Sequence, residues 1–142
     1  MVASFRKLRG YSTIGAAMAS AAILWGLPSA NASSGGGCLK SSAQGFTIES
    51  CISGHNFTAI PDYYIDSVPD LKGQPCSIQP FLFVNRGVLG IIQETPQACV
   101  PGHVFLTDYK LNQPGNYYLE VRVIIGNNNR LILKADSPIE FN

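Results

Sequence analysis

The chain has 142 residues, ten basic and nine acidic, and 46% of it is apolar. Once the leader read below is removed, what remains suffices for one domain with a real core and is too little for two. A formal charge of +1 gives no basic excess of the kind that grips nucleic acid or an anionic membrane.

The first predicted element is a leader. Arg6, Lys7 and Arg9 form a basic head, followed by an uncharged stretch whose apolar centre runs from Ile14 to Leu27. Ala30-Asn31-Ala32 carries the small residues that a signal peptidase accepts, so residues 1–32 read as a signal peptide cut before Ser33. The apolar run is short for a spanning helix, and no membrane association is expected after cleavage. The expected location is therefore secreted, extracellular or periplasmic. Losing the leader leaves seven basic residues against nine acidic ones, a formal charge of −2. A neutral ligand suits that balance better than a polyanion.

Residues 33–37 are a Ser/Gly leader, flexible by composition. A single β domain is expected over 38–142. Phe46-Thr47-Ile48 and Tyr63-Tyr64-Ile65 read as short apolar segments either side of the loop Ser53-Gly54-His55-Asn56, while Pro61, Pro69 and Pro75 exclude a long helix. Phe81-Leu82-Phe83-Val84 and Val88-Leu89-Gly90-Ile91-Ile92 flank Asn85-Arg86-Gly87, a three-residue hairpin signal. Val104 to Thr107 is a further strand candidate. From Tyr117 to Ile125 the odd positions are apolar and most even ones polar, the period of a half-buried strand. Gly126-Asn127-Asn128-Asn129 then turns the chain into Leu131-Ile132-Leu133. No segment has a helical period. The predicted class is all-β, a small disulfide-stapled barrel or sandwich.

Cys38, Cys51, Cys76 and Cys99 are an even set in a small exported chain, which reads as two disulfides with three connectivities open. Sequential pairing closes the shortest loops. A metal site fits poorly, because no Cys-x-x-Cys or His-x-x-x-His spacing is present; neither metal nor cofactor is expected. Catalysis is also the weakest reading. His55 and His103 both sit in Gly-containing loop sequences and read as solvated turn residues, and Asp62 and Asp66 as a solvated face. There is no Gly-x-Ser-x-Gly or His-Glu-x-x-His. A hydrolase would require one of the two histidines to meet a carboxylate in space. Asn56-Phe57-Thr58 is a glycosylation acceptor, meaningful in a eukaryotic secretory pathway.

Two segments together resemble the cyanovirin-N homology family of small lectins. The run Cys38-Leu39-Lys40-Ser41-Ser42-Ala43-Gln44-Gly45-Phe46-Thr47-Ile48-Glu49-Ser50-Cys51 is similar to the opening of that family's repeat. Leu119-Glu120-Val121, then Ile125-Gly126-Asn127-Asn128-Asn129-Arg130-Leu131, is similar to its ending, with Asn129 where the family usually has Asp. The resemblance implies a Cys38–Cys51 bridge. It also implies one sugar pocket built from Ser34 to Gly37, Ile52 to His55 and Gly126 to Asn129. Ser53, Gly54, His55, Asn127, Asn128 and Asn129 are then the expected ligand-binding residues, recognising a neutral, mannose-type glycan by hydrogen bonds without breaking a bond. The competing expectation is a small secreted effector, toxin or inhibitor that binds a protein partner, with Tyr63-Tyr64 or Phe81-Leu82-Phe83 as anchors.

Overall fold

The computed structural model describes residues 34–86 and 89–141. The leader, the cleavage point before Ser33, Gly87 of the Asn85-Arg86-Gly87 turn and Val88 of the segment after it lie outside them. The described chain is a sandwich of two antiparallel sheets.

One sheet is made by β2 (Gly37–Ala43), β3 (Phe46–His55), β4 (Thr58–Ser67) and β8 (Gly102–Phe105), with β9 (Tyr109–Lys110) also on β4. The other has β10 (Asn116–Ile125) at its centre. On one side β10 pairs β5 (Cys76–Asn85) along its whole length, from Asn116 opposite Asn85 to Ile125 opposite Cys76. On its other side lie β12 (Glu140–Phe141) at the start and β11 (Arg130–Asp136) at the end. The strands β6 (Leu89–Gln93) and β7 (Gln97–Ala98) edge β5, and β1 (Ser34–Gly35) edges β12.

Alternation decides which side of each strand is buried. Ile48 and Ile52 from β3, Tyr63 and Ile65 from β4, Ile78 and Leu82 from β5, and Leu119, Val121 and Val123 from β10 form one continuous core. Ser50 is the polar member of that layer. Its hydroxyl donates across the sandwich to the Leu119 carbonyl at 3.2 Å, so its burial leaves no donor unmade. Tyr63 differs. Its hydroxyl is buried without a hydrogen-bond partner, and burial pushes the phenol up to about 12.

Two prolines lie inside long strands, where a missing N–H should break the ladder. Both are placed where there is no ladder to break. The Pro61 carbonyl faces the break between β8 and β9 and accepts from Leu106 N; the Pro80 carbonyl faces the break between β6 and β7 and accepts from Glu94 N. A strand residue's N and O point the same way, so each ring faces a gap in the neighbouring edge.

The disulfides are sequential, Cys38–Cys51 and Cys76–Cys99. The first joins directly opposed residues of β2 and β3. The second ties the start of β5 to the chain just beyond β7. On a loop-entropy argument each contributes about 3 kcal/mol. Paired cysteines fit an oxidising, extracellular-type environment.

Three expectations about loops are corrected. The Ser/Gly leader is not free over Ser34 to Gly37: β1 pairs Phe141 and Glu140, and Gly37 already belongs to β2. Ser53, Gly54 and His55 end strand β3 rather than forming a loop, and the turn is the pair Asn56-Phe57, both at positive φ. His103 lies within β8, opposite Tyr64, and is not a turn residue. In each case strand pairing organised a segment whose composition favours turns.

Candidate functional site

The chain changes sheets at its first glycines. β1 belongs to one sheet and β2 to the other, and the crossing is made at Gly35, Gly36 and Gly37, with φ of +91°, +71° and +102°. Only glycine adopts such a run without strain. Gly36 also has no room for a side chain. A Cβ there would lie 2.0 Å from Glu140 Oε2 and 2.8 Å from the Ile52 carbonyl. The Gly36 N–H donates to the Ile139 carbonyl at 2.8 Å, holding the corner against β12.

Beside this corner is an open cleft of about 310 Å³, lined by Gly35, Gly37, the Cys38–Cys51 disulfide, Ile52, Ser53, Gly54, Asp62 and Glu140. Cross-strand register brings most of these together. Cys51 is opposite both Cys38 and Asp62, and Ile52 is opposite Gly37. Glu140 arrives from β12, where it pairs with Gly35 and Tyr117. It is only 2% exposed, and its Oε1 is buried without a hydrogen-bond partner.

Asp62 connects the cleft to the outer face of its sheet. His103 Nε2 donates to Asp62 Oδ2 at 2.5 Å, since a carboxylate can only accept. The imidazole stacks on Tyr64 at 3.9 Å between centroids and meets Phe105 at 4.0 Å. A histidine does therefore meet a carboxylate. Among the described residues, the side chains that hold it are Asp62, Tyr64 and Phe105. Asp66, the other carboxylate read as a solvated face, pairs with Lys40 at 2.6 Å.

Of the expected ligand-binding residues, Ser53 and Gly54 line this cleft. The Ser53 hydroxyl also donates to the Ile60 carbonyl at 3.4 Å. His55 is one residue further on, exposed, with Nε2 2.9 Å from Asn56 Nδ2. Asn56 itself is at the exposed hairpin tip, accessible as a sequon would need to be. Asn127, Asn128 and Asn129 are elsewhere. They follow Ile125, which shares a depression with Gln44 and Phe46 at the beginning of β3, whereas Ser53 to His55 are its end. The other end of β10 is the one near His55, since the Tyr117 hydroxyl reaches the Thr58 carbonyl at 3.5 Å. At about 3.3 Å per strand residue, the two sets are roughly 20 Å apart. The two loops do not form one pocket.

Asp62 and Glu140 are members of the cleft that sequence reasoning missed, whereas Gly35 and Gly37 fall within the Ser34 to Gly37 segment that the resemblance placed there. The signal available for the corner was three consecutive glycines directly before a cysteine. For Glu140 there was none, because its role depends on where β12 returns. Comparison with protein-family models, with curated proteins and with solved structures finds no match to this chain.

Proposed function

We propose that this is an exported, non-catalytic binding domain that takes a carbohydrate in the cleft beside the glycine corner. The observation that carries the reading is the composition of that cleft. The side chain absent from Gly37 leaves its peptide group open to close approach, and Ser53, Asp62 and Glu140 add a hydroxyl and two carboxylates. Sugar hydroxyls are recognised by such convergent hydrogen-bonding groups in an open depression. The partial resemblance to cyanovirin-N homology lectins supports the ligand class and the Ser53-Gly54 half of the site. Asn127 to Asn129 have no part in it.

The test is a glycan array, followed by titration of the exported protein after intact mass has placed its first residue at Ser33. Losing two hydrogen bonds of about 1 kcal/mol each weakens binding about tenfold or more, the effect expected for Ser53→Ala combined with Asp62→Asn. Asn127→Ala should leave affinity unchanged. An array with no bound glycan ends the proposal.

A second reading, docking of a protein partner, is favoured by one observation. On the outer face of the β10 sheet, Phe83 and Tyr118 stack at 4.8 Å beside Ile91 and Leu89, which are 58% and 61% exposed. Leu89→Asp with Ile91→Asp would abolish that docking and leave glycan binding intact.

A further inference from the structure

The cleft's carboxylates are an unusual pair. Glu140 is withdrawn from solvent, with one oxygen unpartnered and the other pressed over Gly36. Asp62 uses one oxygen on His103 and keeps only 20% of its side-chain surface exposed. Among the described residues, no lysine or arginine lines the cleft. Of those residues, Lys40 is engaged with Asp66, and Arg122 and Lys134 with Glu120, while His103 is the one such partner at the cleft, on Asp62.

Burying a carboxylate without a cation or donors is costly, and the cost is recovered when a ligand supplies them. A sugar hydroxyl supplies one donor and no charge. A primary ammonium supplies three donors and a full positive charge, and Lys-type ammonium–carboxylate bonds are about twice as strong as neutral ones. The bare peptide surface at Gly37, where a Cβ would meet nothing within 4 Å, lets the carbon bearing that ammonium approach closely.

We infer that the cleft selects a sugar with a free amino group, a 2-amino-2-deoxyhexose or its oligomer, over neutral and N-acetylated sugars. The inference rests on the carbohydrate-binding reading of the same cleft and specifies its ligand. Acetylation removes both the charge and two of the three donors. Glu140 is the specificity residue, with Asp62 in support.

The experiment titrates the exported protein, by calorimetry and by amide chemical shifts, with glucosamine trimer, N-acetylglucosamine trimer, mannose trimer and trilysine. Glucosamine trimer is expected to bind at least tenfold more tightly than the other two sugars, to move the Gly35, Gly37 and Ser53 amides, and to weaken as salt rises. Glu140→Gln should erase the preference for the free amine while a preserved thermal transition and amide dispersion show that the fold survives. If that variant does not fold, the ratio of glucosamine to N-acetylglucosamine affinity in the wild-type protein decides alone. Equal or tighter binding of either uncharged trimer overturns the inference and leaves the carbohydrate reading standing. Binding of trilysine without glucosamine trimer overturns it as well. Binding of no sugar at all overturns both.

Discussion

Two ends of this sandwich carry nearly the same kind of sequence and do different things. Ser34 to Gly37 and Gly126 to Asn129 are both short, polar and rich in residues that tolerate positive φ. At the first, three consecutive positive-φ glycines carry the chain from one sheet to the other, against a buried carboxylate and a neighbouring carbonyl. At the second, Gly126 and Asn129 at φ +76° and +52° close a hairpin between strands that would pair anyway. Composition names residues able to turn. What the turn is packed against decides whether it is a structural joint or a surface feature.

Substitution at the corner should have the largest effect. Gly36→Ala combines a strained φ with a Cβ 2.0 Å from Glu140 Oε2 and 2.8 Å from backbone. Strain and displaced packing together are expected to cost about 3–5 kcal/mol, read from denaturant unfolding, with loss of the native cleft. If Gly36→Ala unfolds at the wild-type midpoint, the corner is not the joint described.

Tyr63, in the core between the two ends, gives the comparison its scale. Its phenol is raised from 10 to about 12 by burial, so its contribution is complete below pH 10 and is lost as pH rises through about 12. Wild-type stability should fall across that window by about 2–3 kcal/mol more than that of Tyr63→Phe. At neutral pH the Phe variant should be as stable as wild type or slightly more so, because the hydroxyl removed has no partner. Chemical denaturation at pH 7 and across the alkaline range checks both. Matching alkaline curves would mean that the hydroxyl finds a partner or water.

The hairpin should be the quiet end. Gly126→Ala, with φ +76° and only the flexible Asn128 Oδ1 at 3.0 Å, should cost about 1 kcal/mol. Asn127→Ala and Asn128→Ala, neither at positive φ, should stay within about 0.5 kcal/mol. Thermal unfolding of these three beside Gly36→Ala is the direct comparison. A hairpin variant as damaging as the corner variant would remove the distinction.

Much of the fold was legible in the residues because it depends on local pattern. Alternation from Tyr117 to Ile125 marked β10, and Gly126 to Asn129 marked its turn. Four cysteines in a small domain marked two bridges, and proline spacing ruled out helices. The candidate site was legible only in part. Ser53 and Gly54 line the cleft, but strand pairing put Asn127 to Asn129 at the far end of a sheet about 20 Å away. Glu140 and His103 could not be recognised beforehand, because a carboxylate's role depends on what it is buried against.

By itself the sequence determined the all-β class, the half-buried central strand and the turn chemistry, all set by side-chain period and backbone conformational preference over a few residues. Its even cysteine count marked two bridges without fixing their connectivity. Only the tertiary structure decided that the Ser/Gly segment is a joint between sheets, that Pro61 and Pro80 face gaps in their neighbouring edges, and that Asp62 and Glu140 converge on one cleft. Those outcomes rest on contacts between residues distant in the chain, fixed by sheet register and by where each strand returns.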